Sequence, residues 1–264
     1  MSFDFVFFRL QRAPDARAWA RFAIDQIAAH GHNTPALVGG KGSGWRKAPP
    51  GREALIEAIA ASRNRSVQAG SNPRSRDPLD GWGIYCAHPG EHDAHLCRYR
   101  EPSSTPANLH DWFVASAQAL AGIADIRYGF GYSGRTPKDV YCGLGMSAGK
   151  PSPELAPLFA DEEKVARWFR ACAWNTDGAY VRDAFPVNVL GRDFLDMKAS
   201  TSGEALANGL AVFGGLERLT PGLHVWAIMS EEQRQAASEF LAQRQLSVVS
   251  HSYGSHSQVK PAGH

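Results

Sequence analysis

The sequence has 264 residues, 44% of them hydrophobic and 20% charged, which is enough apolar content for a sizeable core and too much for an intrinsically disordered chain. A net charge of +2 is too small to argue for nucleic-acid binding, and no apolar run approaches the roughly 18 residues of a membrane helix. Met1-Ser2-Phe3-Asp4 lacks the basic start of a secretory signal, so the cytoplasm is the expected compartment and Cys86, Cys97, Cys142 and Cys172 are expected to be reduced.

The opening FDFVFFRL is dense in aromatic and β-branched residues and reads as a buried strand. Pro14 and Asp15 then suit a helix start, Trp19, Phe22, Ala23 and Ile27 recur at helical spacing, and Gly31 supplies a stop. Residues 31–52 carry so much Gly and Pro that a long loop is expected. A short amphipathic helix from Arg52 to about Ser62 follows, with Leu55, Ile56 and Ile59 on one face. RNRSVQAGSNPRSRDP reads as a mobile polar loop, and WGIYCAHPGEHDAHLCRYR as a hairpin around Pro-Gly.

Asn108 caps a predicted helix to Gly122 whose apolar face is Leu109, Trp112, Phe113, Ser116, Ala117 and Leu120. IRYGFGYS and VYCGLGM read as strands bent or bulged by their glycines. Asp161 caps a predicted helix that buries Val165, Trp168, Phe169 and Cys172, and YVRDAFPVNVL contains a strand broken at Pro186. Beyond it come a helix over about 202–213, the strand GLHVWAI, and a helix to about Gln243 opened by the capping box Ser230-Glu231-Glu232-Gln233. This order predicts an α+β fold, mainly antiparallel sheet packed with amphipathic helices. Residues 1–150 form one expected lobe, residues 151–250 form a second or join the first in one domain, and 251–264 is a polar tail.

Three motifs invite chemical readings. Gly145-Met146-Ser147-Ala148-Gly149 matches the nucleophile-elbow pattern, with Asp193 or Asp196 and His224 following in hydrolase order. Lys150-Pro151-Ser152-Pro153, however, cannot form the supporting helix. Cys86, His88, His92, His95 and Cys97 are zinc-ligand types crowded on one hairpin, although alternation turns Cys86 inward with Trp82 and Ile84. Gly39 to Gly44 lacks the spacing of a phosphate loop and reads instead as a loop presenting Trp45, a residue type that anchors interfaces. Arg63, Arg65, Arg74 and Arg76 lack the interleaved aromatics of a single-strand binder. Asp161, Glu162 and Glu163 complement a helix dipole, and they can equally meet a basic partner.

Strand FVFFRL, helix, Gly-rich loop, helix, Arg-rich loop, hairpin from Trp82, helix 108–122 and strand IRYGFGYS, in that order, resemble the polymorphic-toxin immunity proteins of the Imm52-type family. The later YVRDAFPVNVL, GGLERL and GLHVWAIMSEEQRQAASEFL are similar to type VI secretion immunity proteins of the TsiT-like family. The resemblance covers residues 3–249. It implies a non-enzymatic protein without a cofactor, binding a cognate nuclease-type toxin effector and contacting neither nucleic acid nor membrane. Residues 151–264 hold 10 Lys and Arg against 13 Asp and Glu, whereas residues 1–150 hold 18 against 13. Carboxylates of the acidic half are therefore the expected partner contacts: Asp161, Glu162, Glu163, Asp177 and Asp183, together with Trp45. The alternative is a hydrolase using Ser147, or a metal held at the Cys86–Cys97 hairpin.

Overall fold

Strand β1 (Ser2–Arg12) is apolar on both faces, the pattern of a strand with no solvent side. In the computed structural model it lies near the middle of a sheet, between β6 (Asp93–Arg100) and β7 (Asp125–Gly134). The structure describes residues 2–31, 37–40, 44–70, 82–88, 92–100, 109–135, 139, 153, 181–196, 206–244 and 246–247. The remaining strands are β2 (Leu37–Gly40), β3 (Gly44–Lys47), β4 (Ser66–Gly70), β5 (Trp82–Ala87), β8 (Val187–Gly191), β9 (Gly215–Thr220) and β10 (Leu223–Ala227). Ten strands of the described residues form one open sheet, ordered β3-β2-β4-β5-β6-β1-β7-β8-β10-β9. Every pairing between neighbours is antiparallel. Strands from before and after residue 150 share this one ladder. The fold is α+β, as its element order predicts.

Val6, Phe8 and Leu10 of β1 face a helical layer made of α1 (Ala16–Ala29), α2 (Arg52–Ala60) and α3 (Leu109–Ala121). Trp19, Phe22, Ile56, Ile59, Phe113 and Leu120 are buried in that layer. Phe3, Phe5 and Phe7 point the other way, into an aromatic core with Phe130, Tyr132, Phe185 and Trp226. That second core also takes Leu206 and Leu210 of the short helix α5 (Leu206–Leu210) and Ala237 and Leu241 of α6 (Glu231–Gln243). A four-residue helix, α4 (Arg192–Leu195), turns the chain away from β8. Among the described residues, no helix is long and apolar enough to cross a membrane.

Two stretches differ from the sequence expectation. The predicted loop over 31–52 contains the hairpin β2–β3, in which Gly39 pairs with Trp45. Gly39 adopts φ +134°, and a Cβ there would sit 2.3 Å from the Gly44 carbonyl oxygen, so glycine permits this pairing rather than preventing it. The predicted polar loop after Arg63 contains β4, whose Val67 and Ala69 are buried and which is paired on both sides by β2 and β5. Satisfied ladders on two edges override a weak local propensity. The rest of that stretch, 71–81, lies outside the described residues, as do VYCGLGM, the helix predicted from Asp161, and the tail.

The glycines of β7 also behave differently from expectation. Register runs unbroken through Phe8–Gly129 and Val6–Gly131, and the irregularities fall nearby at Leu10. A Cβ at Gly129 would lie 2.6 Å from the Phe8 ring and 2.7 Å from the Phe7 carbonyl oxygen. Its hydrogen makes room for the neighbouring strand's aromatic side chain.

The capping box of α6 forms as read: the Ser230 hydroxyl accepts from Gln233 N–H at 3.2 Å, and the Gln233 side chain accepts from Ser230 N–H at 3.2 Å. Ser230→Ala is expected to destabilise the protein by about 1 kcal/mol, roughly 2–4 °C in Tm, checked by thermal unfolding.

Candidate partner-binding surface

The β5–β6 hairpin holds the metal-ligand types, and its pairing decides where they point. Cys86 stands opposite Leu96 and joins the helix-covered core, whereas Cys97 stands opposite Tyr85 and joins the aromatic core. The two thiols therefore lie on opposite faces of the sheet, and burial pushes both pKa values up. His88 donates through Nδ1 to the Asp93 carbonyl at 2.7 Å, and His92 donates to the Leu10 carbonyl at 3.2 Å. His95 packs its ring against Phe5 and Phe7, with centroids 6.2 and 5.5 Å away. Among the described residues, no three His, Cys, Asp or Glu side chains gather to hold a metal ion.

Burial holds the His95 pKa down, at about 4 against an ordinary 6.5, because the charged ring would lose its hydration. Burial also lowers that of His88. A depressed folded-state pKa means that the unfolded chain binds the proton first, so stability is full above pH 6.5 and falls as pH drops toward 4. His95→Phe is expected to flatten that acid limb, read as the difference in urea midpoint between pH 7.5 and pH 5.

Trp45 lies on the edge strand β3, half-buried, with its ring 6.1 Å from that of Tyr85 in an edge-on contact. Asp183 is 5% exposed. Its carboxylate accepts from Ala184 N–H and from the Ser238 hydroxyl, both at 2.8 Å, which ties α6 to the segment before β8. A carboxylate so engaged offers little face to a partner. Asp161, Glu162, Glu163, Asp177 and Ser147 lie outside the described residues. Asp196 sits 3.4 Å from Arg192, and His224 Nδ1 has no hydrogen-bond partner among the described residues.

Sequence reasoning missed two features. One is a pair of interior ion pairs on β1, Arg9–Asp93 and Asp4–Arg98. Alternation places their partners opposite each other only once the β1–β6 register is known. The other is a pocket of about 220 Å³ at the end of the sheet, walled by Ile126, Phe194 and Leu223, with Arg127, Arg192 and Thr220 among its lining residues. Its parts come from β1, α3, β7, β8, α4 and the β9–β10 turn, so no local motif announces it. Around it Arg12 pairs with Asp125 and Arg192 with Asp196.

No protein-family model matches the sequence, and no curated protein matches it. Among solved structures, the chain is similar to Pseudomonas aeruginosa T6SS protein PA0821, with a TM-score of 0.51 and 11% identity over 92% of this chain and 71% of that one. At that identity the likeness is one of fold.

Proposed function

We propose that this chain is an immunity protein that binds a cognate type VI secretion toxin, of nuclease type, and neutralises it as a one-to-one complex in the cytoplasm. The observation that carries the reading is the shared fold with a T6SS protein across 92% of the chain. The proposed action is occlusion or restraint of the toxin, with no catalytic step and no cofactor. Charge supports the pairing, because a nuclease surface built for phosphate is cationic and residues 151–264 hold more carboxylates than cations.

The test expresses the product of the neighbouring reading frame in bacteria with and without this chain, followed by co-purification. Growth rescue with a stoichiometric complex is the expected result. Toxicity that persists, with no complex, overturns the reading. Charge reversal at Glu162 and Glu163 is expected to weaken the complex, and Ser147→Ala to leave it unchanged.

A further inference from the structure

Resting on that reading, we infer that the toxin docks on the outer face of α6, with Glu232 and Glu239 meeting a cationic surface of the toxin and Val212 and Met229 giving the contact its apolar part. Helix α6 buries Ala237 and Leu241 in the aromatic core. At about 100° per residue, Glu232 and Glu239 fall on the opposite side of the helix, about 10.5 Å apart, with Gln235 between them. All three are exposed. Arg234 is the single Lys or Arg in residues 229–243, and it is buried and bonded to Glu231. The crest of α6 is therefore acidic, with no cation on it to balance the charge.

That isolation sets the helix apart. Among the described side chains, exposed carboxylates elsewhere stand beside an Arg or His or cap a helix: Asp25 meets Arg52, Glu57 meets Arg17, Asp125 meets Arg12, and Asp15 caps α1. Glu232, Glu239 and Glu217 have no such partner among the described residues. Glu217 stands opposite Val225, whose side chain joins the helix-covered core, so it belongs to the other face of the sheet.

The apolar part lies beside α6. Val212 and Met229 are the large hydrophobic side chains left open among the described residues, 76% and 83% exposed. Both stand within two residues of the point where Gly214 meets Ala227, since a Cβ on Gly214 would lie 2.2 Å from the Ala227 carbonyl oxygen. Met229 immediately precedes the Ser230 cap, and Phe213, next to Val212, packs its ring 5.1 Å from that of Phe240 in the third turn of α6. An apolar residue before an N-cap often packs on the fourth residue of the helix. Here that position is Arg234, and Met229 stays in the open.

Charge selects the occupant. An acidic crest repels nucleic acid and anionic membrane alike. A second copy docked here about an antiparallel twofold sets Glu232 against Glu239 of that copy, with no cation from either helix to answer them. A nuclease surface built to hold phosphate carries Lys and Arg, and it supplies the cations that α6 lacks.

The experiment titrates the purified product of the neighbouring reading frame against wild type and four variants. These are Glu232→Lys/Glu239→Lys, Glu232→Gln/Glu239→Gln, Val212→Ser/Met229→Ser, and Glu217→Lys as a control from the other face. Thermal unfolding verifies that each variant folds, and amide hydrogen exchange over 231–243 in wild type gives a reading that needs no substitution. Charge reversal is expected to raise Kd by about tenfold or more, the Gln pair and the Ser pair by about threefold or more, and the control to stay within about twofold. Exchange over 231–243 is expected to slow in the complex. A wild-type complex whose Kd stays within about twofold on charge reversal, with exchange over 231–243 unchanged, overturns this inference and leaves the immunity reading standing. A dimer of the chain alone that Val212→Ser/Met229→Ser dissolves assigns the face to a second copy and overturns it as well. No complex and no growth rescue with wild type overturns both readings.

Discussion

Arg98→Met is expected to destabilise the protein by about 3–5 kcal/mol. Asp4 is fully buried and Arg98 is 6% exposed, and they meet across the β1–β6 pair with both Nε and Nη2 of the guanidinium 2.8 Å from Asp4 Oδ2. The Ser133 hydroxyl donates to the other carboxylate oxygen at 2.6 Å, and the guanidinium lies 4.4 Å from the Trp112 ring centroid. Removing the cation strips a charge partner from a carboxylate with no exposed surface. The pair's attraction largely offsets its own desolvation, so the loss comes from stranding one partner. Accordingly Asp4→Leu/Arg98→Met is expected to recover much of the stability lost by Arg98→Met alone. Urea unfolding of wild type, both single variants and the double variant measures this. A double variant no more stable than the worse single would show that the pair does more than cancel its own burial cost.

Phe130→Ala is the second large loss, also about 3–5 kcal/mol. Phe130 is fully buried at the middle of β7, stacked on Phe185 at 4.2 Å and tilted against Phe7 at 5.1 Å. Its ring joins β1, β7 and the segment leading to β8, so truncation opens a cavity among groups that belong to three parts of the sheet. Phe130→Leu keeps much of the volume and loses the ring contacts, and is expected to cost about 1 kcal/mol. Equal losses for the two variants in a urea titration would contradict a cavity origin.

Legibility in the sequence followed the range of the interactions. The Ser230–Gln233 capping box and the Asp15 cap of α1 are closed within three residues, and both stand where the pattern places them. β1 is legible because burial on both faces leaves the apolar run Phe5–Phe8 between Asp4 and Arg9. β2, β3 and β4 are not, since four or five residues containing Gly39, Gly40, Gly44 or Gln68 form strands only when a neighbour supplies the ladder. The hairpin cysteines show the same limit. The sequence shows five Cys and His residues close together, and only the register tells that Cys86 and Cys97 face opposite ways. The pocket at the end of the sheet is harder still, as Arg127 and Arg192 come to line it only through the path of the chain from β7 to α4.

The place of β1 between β6 and β7 has a consequence for how the chain is made. A ribosome releases β1 first, yet its two neighbours follow only at residues 93–100 and 125–134. Until then a strand bearing Phe3, Phe5, Phe7 and Phe8 has neither flank paired, and at ordinary synthesis rates that interval lasts several seconds or more. Closing such long loops makes assembly slow. The nascent chain is therefore most exposed to misassociation before β7 emerges, and chaperone capture during synthesis should centre on that interval.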